Sequence, residues 1–416
     1  MKHPEQNQHG LAGLPGFARV FDGPGVWMEG NATDQIASVA ALPGCLRVAG
    51  MPDLHAGRDF PIGAVVATQD VVYPLLVGGD AGCGARIVVT NEDHVSPDKL
   101  ERRIRRAWEE SIFEDVEPSR LFDAAWSQGP AGLLEVDGVP EALRRLAALD
   151  TTDDALPPSG DPSRFRAGFE GALGSIGGGN HFAEISKVSH VVDSEAGKTI
   201  GLEKNSLVAL VHSGSRGLGA ALFRAWCARP LVGAEIGAYL GELAGACRFA
   251  RTNRLVVAYR LLSALSALRA GAIRGSFDVT HNDVRAELVS GAPAWIHRKG
   301  AAPAYESAFT VVLGSRGAPS WVMKGNGEEA SLRSVAHGAG RRMGRTEARE
   351  KVRARYHRAE LSRSPGGGRV ICDDKDLLFE EHPDAYKAIE PIICALEANR
   401  LATRVASLVP VVTVKL

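Results

Sequence analysis

The strongest constraint on this chain is a set of short histidine motifs scattered between positions 181 and 337. They read GGGNHF around His181, LVHSGSRG around His212, VTHND around His281 and VAHGAGRRMGR around His337, and three of the four are glycine-rich. A fifth segment, GGDAGCG, sets Asp80 and Cys83 far upstream. Imidazole, thiolate and carboxylate are the side chains that hold transition metals, and glycine lets backbone approach a ligand closely. A fold that uses these segments together must bring one loop after another to the same place. The pattern predicts one metal site assembled from across the fold, with a phosphate-like ligand beside it.

The rest of the sequence fits that expectation. A chain of 416 residues is long enough for about two or three domains. The motifs, however, run from residue 53 to the C-terminus without separating into self-contained groups. We therefore expect a single α+β domain over 1–416, a mixed α/β unit whose site is built from widely separated loops. Residues 62–69, 86–90 and 206–211 are β-branched apolar runs and read as buried strands. Residues 98–112 and 254–274 carry helical periodicity, the second apolar enough for a core helix. Residues 346–361 read as a charged surface helix, and 151–164 and 362–368 as exposed loops.

Bulk charge points to no class of partner by itself. The formal net charge of −1 gives no global pull toward nucleic acid, so any such binding must use a local patch. Six cysteines without a CxxC pair fit a reducing cytoplasm. The N-terminal MKHPEQNQHG has no apolar core of a signal peptide, and no apolar run reaches membrane-spanning length. A cytoplasmic protein without membrane partners is expected.

Each motif has a plainer reading. Asp80 and Cys83 can aim at one metal from their turn, or mark a tight turn over a buried cysteine. Asp53 and His55 in MPDLHAG can support such a site from behind, or line a polar strand entrance. The glycines before Asn180 and His181 leave amides free for an anion. Arg216, after His212, is available for phosphate. His281 taken alone reads as a structural histidine. A serine nucleophile elbow is excluded because Ser213 stands where glycine is required, and Gly197-Lys198-Thr199 fails as a phosphate loop because Val192 replaces the earlier glycine. From Arg341 to Arg358 there are eight Lys or Arg against Glu347 and Glu350. That stretch is either a solvated helix face or a holder of RNA or nucleotide phosphates. RKGA at 298–301 and LGSRGAPS at 313–320 also suit phosphate.

Read in order, these segments resemble the RtcB family, the 3′-phosphate/5′-hydroxyl RNA-splicing ligases. The likeness runs from MPDLHAG to the terminal TVKL through GDAGCG, GNHF, HSGSRG, THN, RKGA, GSRGAPS and HGAGR. It implies two manganese ions held by Asp80, Cys83, His181, His212 and His281, and GTP as co-substrate. It implies His337 as the residue that carries GMP covalently. Guanine and phosphate contacts would come from Asn180, His181, Phe182, Ala183, Glu184, His281, Asn282, Leu313, Gly314, Ser315, Arg316, Ser320, the turn His337, Gly338, Ala339 and Gly340, Tyr386 in DAYK, and Lys415. The implied partners are RNA with 3′-phosphate or 2′,3′-cyclic phosphate and 5′-hydroxyl ends, and an archease-like activator. The chain departs from the family in VGGDAGCGA, in Asp283 after HN, and in LGSRG. These departures lie around the pocket and point to a divergent branch devoted to RNA repair.

Two rival activities stand beside the ligase. A metal-dependent phosphoesterase would trim RNA ends without needing His337 or GTP. A non-catalytic RNA-binding repair factor would need the basic stretch and no metal ligands. Intact His337 and Lys415 favour the ligase.

Overall fold

The computed structural model describes residues 17–152, 155–364 and 366–415. The N-terminal decapeptide, Asp153 and Asp154 of the first expected loop, Pro365 of the second and the final Leu416 lie outside these residues.

The α+β class expected from the sequence holds. The larger sheet runs in the order Phe309–Val312, Ser320–Gly325, Ala402–Lys415, Phe182–Val191, Leu207–Ser213, Gly84–Thr90 and Ile273–Thr280, with neighbours antiparallel. Arg369–Cys372 adds a parallel strand beside the C-terminal end of Ala402–Lys415. A second sheet runs Ala18–Val20, Cys45–His55, Ile62–Thr68, Ala292–Lys299 and Asn282–Val289. The three strands expected from apolar runs are therefore present, with ends shifted by a few residues.

Antiparallel pairing explains why distant motifs share one edge. Gly84 opens its strand opposite both Ser213 and Thr280, which close theirs, and Phe182 at the start of its strand pairs with His212. Starts and ends thus alternate along the same rim. His281 is the single residue between Ile273–Thr280 in the larger sheet and Asn282–Val289 in the second, so it sits at the junction of the two. Its amide donates to the Cys83 carbonyl at 2.8 Å.

One face of the larger sheet packs on the helix Ala234–Leu265, 32 residues long and about 48 Å at 1.5 Å per residue. Leu255, Val256, Val257, Ala258, Leu261 and Leu262 are fully buried there against Ala183, Ile185, Ala209 and Val211. Each such Leu or Val contributes about 1.5–3 kcal/mol relative to exposure. Among the described residues no helix is long and apolar enough to cross a membrane.

Two helical expectations need correction. The helix expected over 254–274 begins at Ala234 and stops at Leu265, where Ser266 takes φ 63° and reverses the chain; residues 273–274 already belong to a strand. Its first half is poor in large apolar residues because the partner supplies the bulk. A Cβ on Gly245 would lie 2.1 Å from the Trp126 ring, so glycine is what lets indole and helix touch. The surface helix expected over 346–361 ends at Arg353, and a separate 3-10 turn begins at Arg358. Glu360 accepts a hydrogen bond from the His357 amide at 2.9 Å, and this cap starts the new element. The two expected loops are partly anchored. Arg248 donates to the carbonyls of Leu156 and Pro157, the helix Ser163–Phe169 starts inside the first loop, and Ser364 and Gly368 of the second are buried.

Candidate active site

The four rim motifs and the HGAG turn meet at a cavity of about 400 Å³. Cys83 is at its floor. Its Sγ lies 3.2 Å from His181 Nε2 and 3.3 Å from His212 Nε2, and His212 Nε2 lies 3.3 Å from His281 Nε2. His181 Nε2 is 3.1 Å from Asp80 Oδ2. Two donor triads result, Cys83–His212–His281 and Asp80–Cys83–His181, and both use the one sulfur.

This donor set fits divalent cations. Zn–N and Zn–S bonds of about 2.0–2.3 Å in tetrahedral sites place ligand atoms roughly 3.3–3.8 Å apart. Within each triad the donor atoms lie within 4.8 Å of one another, before any ion draws them to one distance. His212 Nδ1–H donates to the Asn180 carbonyl at 3.2 Å, which turns the Nε2 lone pair toward Cys83 and His281. Burial holds His212 and His281 well below the usual imidazole range, so both are neutral at pH 7. Burial, helped by Asp80, pushes the Cys83 thiol up, and a bound cation reverses that by favouring thiolate. Arg216, foreseen as a phosphate contact, instead points Nη1 at His181 Nδ1 at 3.0 Å.

Gly82 and Gly84 let the Cys83 turn sit this deep. Gly82 has φ +74°, and a Cβ there would meet Ala250 Cβ at 2.9 Å and Cys247 Cα at 3.0 Å on the long helix. The turn is tied from outside as well. Asn282 Nδ2 donates to the Asp80 carbonyl at 3.1 Å, and Ser215 Oγ to the Ala81 carbonyl at 2.6 Å.

His337 borders the same cavity, its ring centroid 4.8 Å from that of His281. Its Nδ1–H donates to Asp53 Oδ2 at 2.7 Å, so the lone pair is on Nε2. Asp53 is fully buried. The HGAG turn runs beside Leu313, with Leu313 N donating to His337 O at 3.0 Å and Ala339 N to Leu313 O at 3.0 Å. Gly340 has φ +70°, and a Cβ there would overlap the Asp53 carbonyl at 2.2 Å. Only glycine allows that approach.

The opposite wall is a pocket around Glu184. Its carboxylate accepts from Ser186 Oγ at 2.6 Å and Thr413 Oγ1 at 2.5 Å. Burial raises its pKa to about 7, against the pull of those hydroxyls and Lys415. Lys415 Nζ donates to the carbonyls of Gly179 and His181 at 2.9 and 3.0 Å, and burial lowers its pKa to about 8. Tyr386 donates its hydroxyl to Glu381, which also accepts from Arg341 at 2.9 Å.

Most of the expected residues border this cavity: Asp80, Cys83, Asn180, Phe182, Glu184, His212, His281, Asn282, Leu313, Gly314, Ser315, Arg316, Ser320, His337, Gly338, Ala339, Gly340, Tyr386 and Lys415. His181 lies just behind the sulfur. Ala183 departs from expectation, because strand alternation turns its side chain into the apolar cluster under the long helix while Phe182 and Glu184 face the cavity. Asn282 spends its amide on Asp80 O and on the Gly300 amide, which donates to Oδ1 at 2.7 Å. Lys299 of RKGA, Arg58, Arg341 and Arg345 also line the cavity. Sequence reasoning missed Glu381, Ser186 and Thr413. A polar residue at every second position facing Glu184 was the available signal.

A family model described as "tRNA-splicing ligase RtcB" matches residues 35–230 and 227–416. The chain is 36% identical over 398 residues to the "RNA-splicing ligase RtcB2" of Escherichia coli, covering 94% of this chain and 93% of that protein. It is 29% identical to the "RNA-splicing ligase RtcB" of Mycobacterium bovis, covering 92% of this chain and 100% of that one. It is 28% identical to the "tRNA-splicing ligase RtcB" of Methanococcus maripaludis, covering 93% and 92%.

Proposed function

Because the chain belongs to the RtcB family, we propose that it is a GTP-dependent RNA ligase, acting in RNA repair or tRNA splicing. It joins an RNA 3′-phosphate or 2′,3′-cyclic phosphate end to a 5′-hydroxyl end, and one catalytic domain spans the chain. The observation that carries this reading is the Asp53–His337 pair facing a cavity that also holds the Cys83 cluster. A phosphoesterase would need the cluster but would not require His337, whereas an imidazole held in one tautomer beside the cluster suits a nucleophile.

His337 Nε2 attacks the α-phosphorus of GTP, and pyrophosphate leaves as the new N–P bond forms. Asp53 holds the ring proton on Nδ1, so that the neutral ring presents its lone pair on Nε2, and stabilises the charge that develops on the ring. A terminal 3′-phosphate oxygen of RNA then takes the GMP, breaking the N–P bond and freeing His337. A cyclic phosphate end is first opened by water to the 3′-phosphate. Finally the 5′-hydroxyl oxygen attacks the activated 3′-phosphorus and GMP departs. Arg341, Arg345 and Lys299 at the cavity offset phosphate charge. The triads that share Cys83 would hold two manganese ions, which when bound would supply Lewis-acid stabilisation of the phosphate charge. An archease-like protein is the proposed activator.

Glu184 gives the nucleotide choice. Its carboxylate can accept from the N1 and N2 donors of guanine, a pair that adenine lacks. Glu184→Ala is expected to raise KM for GTP at least about tenfold, the value of one charged hydrogen bond, and to erode discrimination against ATP. With its pKa raised to about 7, Glu184 is protonated below that value, so wild-type KM for GTP should climb as pH falls from 8 to 6. Equal labelling of the wild type by GTP and ATP contradicts this assignment. The reading as a whole is tested by incubating the protein with Mn2+, GTP and two RNAs bearing 3′-phosphate and 5′-hydroxyl ends. Sealing that requires GTP supports it; GTP-independent loss of the 3′-phosphate supports the phosphoesterase.

A further inference from the structure

We propose that Arg254, gripped by Asp278, is the positioning residue of the metal-binding turn. This rests on the reading of the Cys83 cluster as a metal site. Arg254 is on the long helix, and its side chain is completely buried. Nε donates to Asp278 Oδ2 at 2.8 Å and Nη2 to Asp278 Oδ1 at 2.6 Å, a bidentate pair. The remaining arm, Nη1, donates to the carbonyls of Gly82 at 2.7 Å and Ser213 at 2.8 Å. Gly82 immediately precedes Cys83, and Ser213 immediately follows His212. One guanidinium therefore sets the backbone on which two of the clustered donor atoms are mounted.

The sequence around it is shaped to admit this group. A Cβ on Gly84 would lie 2.9 Å from Arg254 Cζ, so the glycine after Cys83 lets the guanidinium come under the turn. Asp278 lies three residues before His281 on the strand that delivers it. The same carboxylate is 3.3 Å from Arg86, which pairs in turn with Asp150. A buried chain of alternating charge thus runs from Asp150 through Arg86 and Asp278 to Arg254, and of these four side chains it is Arg254 that donates to the backbone of the turn. The five-donor fork of arginine makes this possible, and a lysine cannot reproduce it.

The test compares two variants by equilibrium dialysis against Mn2+ and by thermal melting with and without the ion. Arg254→Lys keeps the charge and loses the fork. It should weaken Mn2+ binding about 10- to 100-fold, the usual effect of removing an outer-sphere partner, and shrink the rise in Tm that Mn2+ gives. Asp150→Asn disturbs the far end of the same chain. It should lower the metal-free Tm while leaving Mn2+ affinity within about twofold of wild type. If Arg254→Lys does not fold, Asp278→Asn, which keeps every heavy-atom position, carries the same expectation. Wild-type Mn2+ affinity in Arg254→Lys or Asp278→Asn, or equal weakening in Asp150→Asn, overturns the proposal and leaves the metal reading intact. A wild type that binds no divalent ion overturns both.

Discussion

His337→Ala is expected to abolish covalent GMP labelling and the joining of ordinary RNA ends, while still sealing RNA supplied with a 3′-guanylylated end. The separation follows from the order of events. The imidazole acts only before the RNA is activated, so bypassing its step restores the later one. The variant should keep its divalent ions, because His337 belongs to neither donor triad. Losing a nucleophile removes the covalent route altogether, so the expected loss is at least the ~10⁴-fold of a disabled catalytic unit. The readouts are gel-based labelling with α-labelled GTP and ligation of pre-activated RNA. Covalent GMP on His337→Ala places the nucleophile elsewhere. A variant that binds metal but fails to seal the pre-activated RNA gives His337 a second role.

Cys83→Ala carries the second large effect. Its sulfur is the only atom common to both triads, so a single truncation cuts each from three donors to two. We expect Mn2+ affinity to fall by more than the ~100-fold seen when an outer-sphere partner is lost, with labelling and joining falling together. Stability without metal should change little. Cys83 is fully buried, so the change costs roughly 1 kcal/mol of lost packing. Metal analysis of the dialysed variant decides the matter. Retention of two ions at wild-type affinity would remove Cys83 from the site.

The sequence announced these residues because their chemistry is local. A histidine beside glycines, or a cysteine three residues from an aspartate, can be read without knowing the fold. The strands were legible for the same reason, since their β-branched runs are bounded by glycine or polar residues. The supports were not. Asp53 reaches His337 across 284 positions, and Arg254 meets Gly82 across 172; no spacing rule connects such pairs. Asp53 was marked as a supporting residue, but its partner was hidden. Ala183 was carried along with its neighbours because a motif is read continuously, whereas a strand shows alternate residues to opposite faces. The first half of the long helix escaped notice because its glycines and alanines take their bulk from Trp126 and from the turn that carries Cys83.

The proposed ligase chemistry turns on the bond between GMP and one imidazole. The most direct measurement is to incubate the wild-type protein with Mn2+ and α-labelled GTP, digest it at neutral pH, and map the label by mass spectrometry. We predict a single acid-labile GMP adduct on the peptide that contains His337, with none formed from ATP. An unlabelled protein that still joins RNA ends, or an adduct on any other residue, would contradict it.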